Sequence, residues 1–140
     1  MAKTSPRASN NLYKKKGSII GLEQGKIPPQ AVELEEAVLG ALMIDKNALN
    51  EVIDILESEC FYKDAHREIY SAIKTLFTES QPIDILTVSS LLRKNGKLEL
   101  CGGDYGIANL TQKVASSAHI EYHARIIVQK HIQRSLIRVS

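Results

Sequence analysis

Four places in this 140-residue chain hold residue types that could do chemistry. Gly21-Leu22-Glu23-Gln24-Gly25-Lys26 approaches the loop G-x-x-x-x-G-K-[ST], in which backbone amides and a lysine cradle a nucleotide's phosphates. The glycine spacing is one residue short, Ile27 stands where a metal-holding hydroxyl belongs, and Pro28-Pro29 replaces an amide-rich helix start. No phosphate site is expected there. His119 and His123 sit four apart, a spacing zinc can use, with His131 two further turns along. No cysteine pair or carboxylate cluster completes a ligand set, so an ordinary surface helix accounts for them and no metal is expected. His66, between Asp64 and Glu68, could be tuned as an acid or base, but it opens an amphipathic helix with no nucleophile motif nearby. A capping or packing role fits it better. Finally, Arg93, Lys94 and Lys97 in "RKNGKLEL" could be the phosphate contacts of a winged-helix DNA reader, with Thr87, Ser89 and Ser90 facing outward before them. No catalytic or cofactor-binding residue emerges from the four.

Charge weighs against the DNA reader. The formal net charge is +2, but residues 1–26 hold six Lys or Arg against Glu23 alone. From Ile27 onward 12 basic and 15 acidic residues leave −3, and because residues 123–140 carry four basic residues and no acid, the stretch 27–122 stands at −7. A domain that grips phosphate backbones by itself normally presents a net positive face. Two cysteines and a polar N-terminus without an apolar run fit a reducing cytoplasm, and no stretch approaches the roughly 18 apolar residues of a membrane span. A soluble chain that does not contact membranes is expected.

The elements that would position any site read as helices. Residues 1–26 are expected to be a disordered basic tail, because their composition buries too little apolar surface to offset ordering entropy. Residues 27–115 read as a globular head. Its first helix carries Ala31, Leu34, Val38, Ala41 and Leu42 on one face, with Glu33, Glu35 and Glu36 in the early turns where the helix dipole favours acids. Asp45 is expected to cap a second helix striped by Leu49, Val52, Ile53 and Leu56. The cleanest spacing is Ala65, Ile69, Ala72, Ile73 and Leu76 in a third. Pro82 breaks the chain, Asp84 caps a fourth helix bearing Ile85, Val88, Leu91 and Leu92, and Asn95-Gly96 provides a left-handed stop. After Gly102-Gly103 comes a shorter helix with Ile107, Leu110 and Val114. Ser116 or Ser117 would cap the longest helix, which bears Ile120, Ala124, Ile127, Val128, Ile132, Leu136 and Val139. The fold class is therefore all-α: a compact head of about five helices plus a long C-terminal helix. That helix stays apolar on one side to its far end, where this chain offers nothing to cover it.

Four phrases, "IPPQAVELEEAVLGALMIDKNALNEV", "FYKDAHREIYSAI", "PIDILTVSSLLRKNGKLELCGG" and "SSAHIEYHARIIVQKHIQRSLI", together resemble the N-terminal domain of bacterial replicative DNA helicases of the DnaB family in order and spacing. The resemblance covers residues 27–138. It implies a helical head followed by a helical hairpin, of which residues 116–140 would be the first arm, cut short, and hairpins that pair so that three dimers form a collar on a hexameric ring. It implies that ATP, magnesium and DNA translocation belong to a motor domain absent from this sequence, with DNA met only through the full-length protein. The implied partners are a second copy of the chain, the C-terminal domain of primase and, in some bacteria, a helicase loader. Glu33, Arg134 and Ile137 match partner-facing positions of the family. Ile127, Ile132 and Leu136 are the implied self-association residues. The family usually has an aromatic three residues past the second glycine; here Tyr105 stands two past Gly103 and Gly106 takes that place, which makes Tyr105 the remaining aromatic candidate.

Overall fold

The computed structural model describes residues 27–114 and 117–139, and among them no strand occurs. Among the described residues six α-helices follow one another: α1 Val32–Ile44, α2 Ala48–Val52, α3 Asp64–Thr78, α4 Ile85–Lys94, α5 Gly103–Thr111 and α6 Ile120–Val139. Short 3-10 turns, Ser58–Cys60 and Glu99–Cys101, precede α3 and α5. This is the expected all-α arrangement. The tail and the Gly21–Lys26 segment lie outside the described residues.

Helix α1 is the central element and packs against α3, α5 and α6. From Val38 to Met43 every residue is buried, because neighbours cover the helix on several sides and not along one stripe. Gly40 permits the tightest of these approaches. A Cβ there would overlap the Leu110 carbonyl oxygen at the end of α5 and lie 2.6 Å from Val114 Cγ2. Around α1 the core gathers Leu49, Val52 and Leu56, then Phe61, Ile69, Tyr70 and Ile73, then Val88, Leu92, Ile107 and Ile120. Phe61 and Tyr70 stack with ring centres 5.2 Å apart, and the Tyr70 hydroxyl donates to the Leu56 carbonyl at 3.1 Å. Burial pushes that phenol well above its ordinary pKa.

Local signals explain most boundaries. Asp84 Oδ1 accepts from the Thr87 amide at 2.9 Å while Thr87 Oγ1 accepts from the Asp84 amide at 2.9 Å, a reciprocal capping box. At the other end of α4, Gly96 sits at φ +74° and Lys97 N–H closes on the Leu92 carbonyl at 2.8 Å, so Asn95-Gly96 stops the helix as its sequence predicts. Helix α3 ends in the same way on a less suitable residue. Ser80 takes φ +57° and Gln81 N–H reaches the Leu76 carbonyl at 2.8 Å.

Three sequence expectations need correction. Asp45 does not cap α2: it follows the last residue of α1, accepts from the Asn47 amide at 2.9 Å and accepts from the Ser117 hydroxyl at 2.8 Å. These bonds favour the ionised form and hold its carboxyl below the ordinary 3.8. Helix α2 is a single short run, with Ile53 to Ile55 continuing as a turn and Leu56 beyond it. Ser89 is buried and not outward-facing, because it follows Ile85 by four residues and precedes Leu92 by three, on the inner face of α4. Ser116, the other proposed cap of α6, lies outside the described residues.

Candidate functional site

The long helix α6 spans 20 residues, about 30 Å at 1.5 Å per residue. Its apolar residues form two stripes and not one. Ile120, Ala124 and Ile127 are buried in the head core, and the steps of four, three and then seven residues that relate them continue to Arg134 on the same line. Val128, Ile132 and Leu136 recur every four residues, and each such step turns about 40° further round the helix. Ile132 and Leu136 thereby rotate away from the head, and they are 51% and 65% exposed. Ile137 is 46% exposed.

The expected association residues therefore divide. Ile132 and Leu136 stand on the surface, whereas Ile127 belongs to the head's own core, since the first turns of α6 pack on α1 and α2. Among the expected partner-facing residues, Glu33 is exposed in the first turn of α1 and Tyr105 is 78% exposed on α5, next to Asp104, which binds Arg93 Nη2 at 2.8 and 2.9 Å. Arg134 points inward. Its Nη1 donates to the Pro29 carbonyl at 2.8 Å, its Nη2 to the Cys60 carbonyl at 2.9 Å, and its guanidinium lies 5.3 Å from the centre of the Tyr62 ring.

A polar cluster that sequence reading passed over lies beneath that arginine. Glu35 is 1% exposed; one carboxylate oxygen accepts from the Tyr62 amide at 2.7 Å and the other meets His66 Nδ1 at 2.6 Å. His66 is equally buried, edge-on to Phe61 with ring centres 6.5 Å apart, so packing within the head is its place. The extended stretch before α3 cannot satisfy its own backbone groups, and side chains do so instead. Arg67 donates to the Phe61 carbonyl at 2.9 Å and the Tyr62 carbonyl at 3.3 Å, completing what Glu35 and Arg134 begin. A signal for Glu35 did exist: it lies four residues after Ala31, three before Val38 and seven before Leu42, on the apolar face of α1.

Elsewhere the chemistry is sparse. A cleft of about 240 Å³ between α1, α3 and α5 is lined by Glu36, Lys63, His66, Leu100, Cys101 and Asn109 among others. Burial, with Glu68 adding to it, pushes the Cys101 thiol up to about 11, and burial raises Cys60 too, so both are protonated and weakly nucleophilic at neutral pH. His119 and His123 stand edge to face at 6.4 Å, and among the described residues no three His, Cys, Asp or Glu side chains are grouped to hold a metal. Where a DNA reader's wing would lie, in residues 93–100, no strand forms: Glu99–Cys101 is a 3-10 turn, and Arg93 is paired with Asp104. No described helix is long and apolar enough to cross a membrane.

A helical head with a long helix that carries an exposed second stripe defines an all-α domain. Residues 27–129 match the family described as the DnaB-like helicase N terminal domain, and the chain belongs to that family. It is 46% identical over 114 residues to the replicative DNA helicase DnaB of Rhodothermus marinus, covering 81% of this chain and 12% of that protein. It is 39% identical over 115 residues to that of Geobacillus stearothermophilus, covering 82% and 25%. The chain thus spans a quarter or less of the length of these relatives. The crystal structure of the N-terminal domain of DnaB helicase from Mycobacterium tuberculosis superposes with a TM-score of 0.77 at 33% identity, over 80% of this chain and 81% of that one.

Proposed function

We propose that this chain is a non-catalytic assembly and recruitment domain of a cytoplasmic replicative helicase, which pairs subunits in a collar and offers primase a docking surface. The observation that carries the reading is the second apolar stripe of α6, Ile132 and Leu136, turned away from the core that buries the first. Burying such a stripe against a second copy removes apolar area from water, while charged rim residues such as Glu33 select the partner. Exposed Tyr105 and Ile137 are the remaining candidates for contact with primase, since large side chains of this kind anchor interfaces. ATP, magnesium and DNA would be handled by the motor domain of such a helicase and not by these residues. A helicase loader, where one exists, would be a further partner.

Calorimetric titration of the chain with the C-terminal domain of primase from the same source tests recruitment. Heat of binding that is lost in Ile137→Ala and Tyr105→Ala supports it. No heat with the folded chain, or with a version extended beyond Ser140, removes primase docking from the function.

A further inference from the structure

We propose that Arg134 is a latch that fixes the direction in which α6 leaves the head, by tying the helix's later turns to two separate segments of the N-terminal half. The latch involves only this chain's own residues, whether or not the helix has a partner.

The apolar contact of α6 with the core runs through Ile120, Ala124 and Ile127 and fades after the half-buried Val128. Arg134 lies seven residues beyond Ile127, two turns past the last fully buried side chain. There a planar guanidinium reaches the carbonyl of Pro29, just before α1, and that of Cys60, at the end of the 3-10 turn before α3. Its fork spans both acceptors at once while its central carbon lies over the Tyr62 ring, a geometry that a lysine ammonium does not reproduce.

The acceptor platform is itself held. Glu35 grips the Tyr62 amide and His66, and Arg67 grips the Phe61 and Tyr62 carbonyls, so the segment that Arg134 reads is fixed by α1 and α3 together. The buried Glu35 carboxylate also attracts the guanidinium without bonding to it, which offsets part of the cost of taking that charge out of water. Sequence separations of 105 and 74 residues make these contacts global ties and not local helix decoration. A head that moved as a body would carry the end of α6 with it.

Hydrogen–deuterium exchange of the whole chain tests the latch segment by segment. In Arg134→Ala, amides of residues 131–139 should exchange at least ten-fold faster while those of α1 and α3 keep their protection, and Arg134→Lys should behave like the alanine variant. Gln129→Ala, an exposed position on the same helix, should change nothing. Unchanged exchange at 131–139 in either Arg134 variant would overturn the proposal. So would equal acceleration throughout the chain, which would make Arg134 a general stabiliser. If the alanine variant does not fold, the lysine variant is read by the same criteria.

Discussion

Helix α1 and the far half of α6 are both rich in apolar residues, yet one is enclosed and the other stands open. From Val38 to Met43 α1 is buried all round, and the acid Glu35 is buried with it because two partners meet its carboxylate. Ile132 and Leu136 on α6 remain exposed although nothing in their composition distinguishes them from core residues. The difference is one of neighbours. Apolar sequence marks surface that needs covering; whether the cover comes from the same chain depends on what else the chain places alongside.

The comparison predicts unequal responses to substitution. The largest effect belongs to Glu35→Ala, which leaves a buried histidine and the Tyr62 amide without their partner and should cost about 3–5 kcal/mol. Urea denaturation measures it. Glu33→Ala, two residues away and exposed, should change stability by no more than about 0.5 kcal/mol. Equal costs for the two would erase the distinction between the enclosed and open faces of α1.

Gly40→Ala comes next, at about 2–3 kcal/mol, because the added methyl meets the backbone of α5, which gives way less readily than a side chain. A smaller gain is expected from Ser80→Gly, about 0.5–1 kcal/mol of added stability read as a higher melting temperature, since Ser80 holds a left-handed conformation that glycine adopts freely.

Asp45 gives a subtler, pH-dependent effect. Its carboxyl is held below 3.8 in the folded chain by the Asn47 amide and the Ser117 hydroxyl, so its contribution is complete above the ordinary carboxylate pKa and fades as pH falls through the lowered one. Asp45→Asn should flatten that part of the acid limb of a thermal melting series below pH 4, where the unsubstituted chain loses stability. An unchanged acid limb would show that the tie between the end of α1 and the approach to α6 contributes nothing.

How much of this was legible follows from the range of each interaction. The stripe of α3, the Asp84 cap and the Asn95-Gly96 stop rest on contacts within a few residues, and all three were readable. The contacts of Glu35 with His66 and of Arg134 with Pro29 span 31 and 105 residues, and no local pattern announces such a partner. Position on the helix nevertheless gave a clue. Glu35 falls on the inner face of α1 and Arg134 on the line of Ile120 and Ile127, so helical geometry places both polar groups towards the head. Reading every apolar residue of α6 as one stripe obscured this, because steps of four drift round the helix while alternating threes and fours stay aligned. The same drift put Ile127 in the core and Leu136 on the surface.

Whether the outer stripe of α6 is an association surface, as proposed, while the inner one is core can be read by sedimentation velocity on the chain and on Leu136→Glu across a wide concentration range, with melting curves alongside. Self-association should grow with concentration in the unsubstituted chain and disappear in Leu136→Glu, with the melting temperature unaltered. Unchanged association in the variant, or a variant that unfolds, would contradict that role for the stripe.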